Sequence, residues 1–324
     1  MKSLLVLVLV SLSLCDMDLE KYKKIAYQVN KLRTTWKAKE VPTDMEGLLG
    51  ALKGSPKTLP RKTKFRTNVN DLPESFDLRE AYPNCETIKE IRDQSKCGSC
   101  WAFSSAEVMS DRLCIHSNQT IQTRVSPLEL ITCCYDCGFG CQGGWQEMTF
   151  YYWMEHGIPS GGLYGDKNSC KPYFLPPCED HMHNCTDYQD TPPCEDKCQD
   201  GYEKTPEEDA TFGADGYSVS GEDDIMREIY ENGSVTATFE VYDDFADYES
   251  GIYQHVTGGM LGLHAIKIIG WGVENDVKYW LVANSWGDKW GEKGYFRVLK
   301  GKDECGIEDD APTGMPLIQG KFLE

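Results

Sequence analysis

Cysteine sets the tightest limit on the folds open to this chain: 15 occur in 324 residues, and the N-terminus routes them to a compartment where they can pair. Lys2 precedes an apolar run over residues 4–14, and Ser13-Leu14-Cys15 offers small residues for signal-peptidase cleavage near Asp16. The run is too short to span a membrane, and no later segment approaches the roughly 18 apolar residues that a membrane helix needs. Leu14 argues against a bacterial lipoprotein box, which would place a small residue before the cysteine. Residues 1–15 are therefore expected to be a signal peptide, with the remainder secreted or lysosomal, where disulfides persist. Without Cys15, 14 cysteines remain, and six bridges would leave two free thiols. Asn118-Gln119-Thr120, Asn184-Cys185-Thr186 and Asn232-Gly233-Ser234 are glycosylation sequons in keeping with that route.

Charge divides the chain. Residues 16–71 carry 13 Lys or Arg against 7 Asp or Glu, whereas residues 72–324 carry 19 against 45. A basic head thus precedes a body at −26, which should repel nucleic acid and anionic membranes and excludes both as partners. Hydrophobic residues make up 40% of the chain, enough for one large domain or two lobes.

One thiol stands apart from the disulfide pool. In Gln94-Ser95-Lys96-Cys97-Gly98-Ser99-Cys100-Trp101-Ala102-Phe103 a polar, glycine-containing turn runs into a pattern in which Ala102, Ala106, Met109 and Leu113 recur at helical spacing. Ser99 is the expected N-cap and Cys100 a first-turn residue. The unpaired N–H groups and the macrodipole of a helix start favour thiolate, the form that attacks carbonyls, so Cys100 is the candidate nucleophile.

In chain order, residues 22–36 predict a helix, residues 45–52 a short amphipathic piece and residues 53–66 a polar basic stretch. Too small for its own core, the span 16–71 is expected to be a pro-segment lying on the rest. The composition changes at Leu72-Pro73. Residues 72–162 predict a helical lobe. Ser126-Pro127-Leu128-Glu129 carries a capping-box pattern with proline at the first helical position, and a helix over 145–156 is stopped by Gly157. Cys133, Cys134, Cys137 and Cys141 lie close together, and the oxidising compartment favours disulfides over a metal cluster there. No metal or other cofactor is expected. Over 163–211, Cys170, Cys178, Cys185, Cys194 and Cys198 are interleaved with Pro, Asp, Glu and Gly without periodicity, which predicts a long stapled loop of functional kind. A helix over 223–231 follows, then strand-like runs at 235–241, 265–271, 278–283 and 295–299. The fold class is α+β, with a helical lobe, a β-rich lobe over 212–324 and a cleft between them.

A thiolate nucleophile needs a base that becomes a cationic partner and then returns its proton to the leaving amine. His116 and His156 end helical segments, His181 and His183 sit in the stapled loop, and His255 precedes a glycine-rich turn. His264 opens an apolar strand in the rigid lobe. Twenty residues on, Asn284-Ser285-Trp286-Gly287 closes the next strand; an amide oxygen there can hold the imidazole N–H while tryptophan shields the bond.

Cys97-Gly98-Ser99-Cys100-Trp101 carries the local signature of the papain family of cysteine peptidases. The chain resembles that family, and its cathepsin B branch in particular, over nearly all of the expected mature region. The likeness rests on Leu72-Pro73-Glu74-Ser75-Phe76-Asp77, Arg92-Asp93-Gln94, Cys141-Gln142-Gly143-Gly144, Ser160-Gly161-Gly162-Leu163-Tyr164, His264-Ala265, Gly270-Trp271-Gly272-Val273-Glu274-Asn275, Asn284-Ser285-Trp286 and Cys305-Gly306-Ile307-Glu308. It implies a two-lobed papain-like fold, made as a zymogen, acting on protein and peptide substrates. Its own pro-segment and cystatin-type proteins are the implied inhibitors. By the same likeness Cys100 is nucleophile, His264 its imidazolium partner and Asn284 the orienter beside Trp286. Gln94 and the Cys100 N–H form the oxyanion hole, and Gly143 and Gly144 dock substrate backbone. The implied bridges are Cys85–Cys114, Cys97–Cys141, Cys133–Cys194, Cys134–Cys137, Cys170–Cys198 and Cys178–Cys185, leaving Cys100 and Cys305 free.

His264 follows Cys100 by 164 residues, beyond the roughly 130 to 150 of the generic signature; the excess fits a stapled loop resembling the branch's occluding loop. Departures are equally specific. Leu263 replaces a glycine before the histidine, and Asp180 precedes His181 where the branch has adjacent histidines. Lys289 stands where the branch has a loop-anchoring aspartate. Asp310 takes the place of the acid at the end of the subsite for the residue second from the scissile bond on its acyl side. Acceptance of phenylalanine and, more weakly than in the branch, arginine is expected there. A carboxylate-capturing role is left to His181, or to His183, so mainly endopeptidase activity is expected, with weakened dipeptidyl carboxypeptidase activity. The rival reading is a catalytically silent, disulfide-rich binding or storage protein of the same fold, against which the retained Cys100, His264, Asn284 and Gln94 argue.

Overall fold

The computed structural model describes residues 20–45, 47–178 and 190–318. The expected signal peptide, the loop residues Asp180, His181 and His183, the cysteine Cys185 and the sequon at Asn184 lie outside the described residues. Among the described residues no helix is long and apolar enough to cross a membrane.

Helix α1 covers residues 20–32 of the described chain and stops at Arg33, which takes a positive φ of 49°. The expected helix to Trp36 is therefore too long. Trp36 instead begins strand β1 (Trp36–Ala38), and it is buried against Tyr248 and Tyr253. After β2 (Phe76–Asp77), two short helices, α2 (Leu78–Ala81) and α3 (Glu86–Lys89), lead to α4 (Cys100–His116), α5 (Pro127–Cys133) and α6 (Gln146–Glu155). The one-turn α7 (Pro206–Asp209) precedes β3 (Gly213–Val219), α8 (Glu222–Asn232), β4 (Val235–Tyr242), β5 (Tyr248–Tyr253), β6 (Met260–Glu274), β7 (Val277–Ala283), β8 (Tyr295–Leu299) and β9 (Ala311–Pro316). The strands form a seven-stranded sheet in the order β1-β5-β8-β7-β6-β2, with β4 also on β6, and a two-stranded β3–β9 sheet.

Helix α4 is the pivot. All of Cys100 to Ile115 is buried, so it is a helix wrapped on every side rather than an amphipathic one. Asn118, at φ 58°, reverses the chain after it. The charges α4 carries inward are matched across the core. Lys267 of β6, fully buried, lies 3.1 Å from Asp111 and 3.4 Å from Glu107, and Arg112 lies 2.9 Å from Glu228 of α8. The first two contacts tie the helix that begins at Cys100 to the strand that carries His264.

Several expectations shift by a residue or a role. Ser99 occupies the N-cap position but makes no capping bond; its hydroxyl is within reach of the Cys97 carbonyl. Ser126 caps α5 by accepting from the Glu129 N–H, whereas the Glu129 carboxylate, instead of closing a capping box, accepts from Tyr152 and Lys171. His264 lies inside β6, which begins at Met260. Five of the implied bridges, Cys85–Cys114, Cys97–Cys141, Cys133–Cys194, Cys134–Cys137 and Cys170–Cys198, are present. Cys178 is also disulfide-bonded, and its expected partner lies outside the described residues. Among the described cysteines Cys100 and Cys305 are free.

The N-terminal segment has no core of its own. Ile25, Ala26, Val29, Trp36, Ala38 and Leu48 are buried in the same cluster as the sheet. Each such burial stabilises docking by about 1.5–3 kcal/mol for the larger side chains.

Candidate active site

Within residues 45–52, expected to form an amphipathic piece, the described residues make no helix. Gly47 and Leu48 lie in a turn closed by the Leu48 N–H on the Met45 carbonyl, and from Leu48 to Leu52 backbone groups bond to the walls of the cleft. Gln94 Nε2 donates to the Leu48 carbonyl at 3.0 Å, Gly144 N–H donates to the Gly50 carbonyl at 2.9 Å, Ala51 N–H donates to Leu263 at 3.2 Å and Leu52 N–H donates to Gly144 at 3.0 Å. Such close approach requires glycine at position 50, where an added Cβ would stand 1.8 Å from the Gly98 carbonyl oxygen. Gly50→Ala should therefore lift the segment from the cleft. It should make the Cys100 thiol of the full-length chain open to alkylation at neutral pH; protection equal to that of the parent chain would refute this.

Beneath the segment, Cys100 and His264 are fully buried. The amides of Gly50, Ala51, Trp101 and Ala265 surround the sulfur, placing it against the residue that follows His264. Asn284 Oδ1 accepts from His264 Nε2 at 2.7 Å and from the Ser285 N–H at 2.8 Å. An amide oxygen only accepts, so the neutral ring carries its proton on Nε2. Nδ1 is left as the basic nitrogen, buried without a hydrogen-bond partner. Trp286 covers this pair, its ring centroid 4.6 Å from the imidazole.

Burial dominates both ionisations. It pushes the Cys100 thiol up to about 11, against the pull of the surrounding amides, and His264 down to about 4, against the Asn284 oxygen and the Leu48 carbonyl. In this closed form the two groups are a neutral thiol and a neutral imidazole.

Gln94 is linked to the same network. Ser285 Oγ donates to Gln94 Oε1 at 2.7 Å, which aims Nε2 at the carbonyls of Leu48 and Cys97, and Tyr173 donates to the Gln94 carbonyl at 2.7 Å. Ser285 and Tyr173 were not singled out from the sequence. Ser285 could have been, as the residue between Asn284 and Trp286; Tyr173 carries no local signal. Gly143, at φ 114°, and Gly144 line the opposite wall, where a Cβ on Gly144 would meet Trp101 at 2.6 Å. Asp310 lines a cavity of about 300 Å³ beside Leu263, and Arg61 of the N-terminal segment reaches it at 3.5 Å. His181 lies outside the described residues. Lys289, exposed, lines a separate cavity of about 570 Å³ with Asp93 and Cys178.

A helix-borne thiol, a strand-borne histidine held by an asparagine, and a covering N-terminal segment define a cysteine peptidase precursor. Residues 72–315 match the papain family cysteine proteases, and the chain belongs to that family. Within it the relatives are of the cathepsin B kind. A cathepsin B-like cysteine proteinase of Schistosoma japonicum is 46% identical over 281 residues, covering 84% of this chain and 82% of that protein. Cathepsin B-like cysteine proteinase 6 of Caenorhabditis elegans is 48% identical over 256 residues, covering 76% and 68%. Procathepsin B S9 from Trypanosoma congolense superposes with a TM-score of 0.80 at 38% identity, covering 91% of this chain and 98% of that one.

Proposed function

We propose that this cathepsin B-like cysteine peptidase is secreted or lysosomal, that residues 16–71 are its pro-segment, and that it acts mainly as an endopeptidase. The observation that carries the mechanism is the hydrogen-bonded chain His264–Asn284–Ser285–Gln94, with the Cys100 sulfur beside the amide of Ala265, the residue after His264. Once the cleft opens and water and substrate polarise it, proton transfer from Cys100 to His264 Nδ1 gives the thiolate–imidazolium pair. The thiolate attacks the peptide carbonyl carbon while Gln94 Nε2 and the helix start receive the oxyanion. The imidazolium gives its proton to the leaving amine, and water then hydrolyses the thioester with His264 as base.

Latency has a geometric reason. The segment passes the Gln94 wall at Leu48 and reaches the Asp310 cavity at Leu52 and Lys53. If that cavity takes the acyl-side residue of a substrate, the segment runs with the opposite chain polarity. Leu48 then offers a carbonyl to Gln94 without a productively oriented peptide bond.

Acid-processed protein should take up one equivalent of an irreversible thiol-directed epoxide, at Cys100. No labelling and no peptidase activity would overturn the assignment. For the mode of action, the loop carries Asp180 beside His181, and a carboxylate repels a substrate's terminal carboxylate. One peptide with a free and with an amidated C-terminus should be cut at comparable rates; a strong preference for the free acid, lost in His181→Ala, would make the enzyme a dipeptidyl carboxypeptidase.

A further inference from the structure

The cavity that Asp310 lines has an acidic wall wider than that one residue. Glu147, in the first turn of α6 and three residues beyond Gly144, lines it too, with Glu240 and Asp309. Glu147 lies close enough to Asp310 that the Asp310 carboxylate raises its pKa, beneath the larger effect of burial; Asp310 is itself raised by burial, with Asp309 adding to the rise. No lysine or arginine of residues 72–324 is among the residues lining this cavity. The cations it does meet come from the N-terminal segment: Lys53 Nζ lies 2.9 Å from Glu240, and Arg61 lies 3.5 Å from Asp310. The precursor therefore carries a tethered basic occupant at this place, and its removal takes these two cations from a half-buried acidic wall.

We propose that Glu147 is a specificity-determining residue which, with Asp310, makes this subsite prefer a basic side chain at the second residue on the acyl side of the scissile bond. The proposal rests on the reading of this cavity as the acyl-side subsite of a peptidase cleft. A guanidinium is planar and offers five donors, so it can pair with one carboxylate and still present N–H groups to a second. The Asp310 side chain, a methylene shorter than glutamate, is thereby compensated from the other wall. Arginine binding is strengthened, where the sequence alone suggested that it would be weakened.

Two blocked dipeptide coumarylamides, Arg-Arg and Phe-Arg, assayed on the acid-processed enzyme decide the matter through their ratio of kcat/KM. In Glu147→Gln that ratio should fall by about tenfold, the scale of one charge-assisted contact in a half-buried site. Asp310→Ala should lower it as well, and the double variant by more than either. The wild-type ratio should also fall as salt is raised from low ionic strength, because screening weakens the arginine contact and spares phenylalanine. A ratio that neither Glu147→Gln nor salt lowers would overturn the proposal. Failure of wild-type enzyme to cleave either substrate would instead overturn the peptidase reading beneath it.

Discussion

In the full-length chain at pH 7, Cys100 should react with iodoacetamide about a thousandfold or more slowly than in the processed enzyme. With the thiol pushed up to about 11, a fraction on the order of one in ten thousand is thiolate at that pH, and the thiolate is the reactive form. Burial acts on His264 in the opposite sense, holding it near 4, so no imidazolium is present above about pH 5 to draw the proton off. Both displacements share one cause, the dry cover made by residues 48–52. Removing it should lower the thiol and raise the imidazole together, and a charged pair then persists between their new values. The rate for the precursor should climb roughly tenfold per pH unit through neutrality, whereas the processed enzyme should show a plateau from mildly acid to mildly alkaline pH. A precursor with the same plateau would mean that the charged pair forms beneath the segment.

The residues that do the proposed chemistry were legible because each stands in a local motif. Cys100 follows a turn at a helix start, and Asn284 precedes a tryptophan at a strand end. The central helix and four strands of the large sheet were legible for a related reason: their apolar spacing is a property of the element itself. What escaped depends on distant partners. Strands β3 and β9 contain Gly213, Gly216, Pro312, Gly314 and Pro316, which break any alternation, and they are extended because they pair with each other. Residues 45–52 show an apolar pattern, yet what holds Leu48, Gly50, Ala51 and Leu52 in the cleft is backbone bonding to Gln94, Gly144 and Leu263. Lys267, a charge within an apolar strand, is explained only by Glu107 and Asp111, over 150 residues earlier.

Acid and salt should each speed processing of the precursor, through ion pairs that the charge division of the sequence anticipated. Lys21–Asp243, Lys96–Asp44, Lys53–Glu240, Lys57–Glu155, Arg61–Asp310 and Lys62–Glu228 all join the N-terminal segment to the body. The exposed pairs contribute about 0–1 kcal/mol each. Lys62–Glu228 is the most enclosed, at 2.7 Å with Glu228 fully buried. Arg112 and Tyr217 also hold Glu228, so losing Lys62 does not strand the carboxylate, and Lys62→Met should weaken docking by about 1–2 kcal/mol rather than the several that a stranded buried charge costs. The carboxyls of Glu228 and Glu240 sit below their ordinary value, Glu228 through Arg112 and Lys62 against burial, and Glu240 through Lys53 and Tyr242. A depressed carboxyl stabilises docking above its free pKa, and that stabilisation is lost as pH falls through the lower, docked value. Asp247 works in the opposite sense. Burial raises it to about 8, against the pull of Lys39, so its contribution favours the closed state at low pH and fades as pH rises through 8. Release by acid therefore requires the depressed group to outweigh Asp247. Processing half-times at pH 6, 5 and 4, each at low and high salt, should shorten along both axes, and Lys62→Met should reduce the salt response. Half-times indifferent to salt at constant pH would refute an electrostatic hold on the segment.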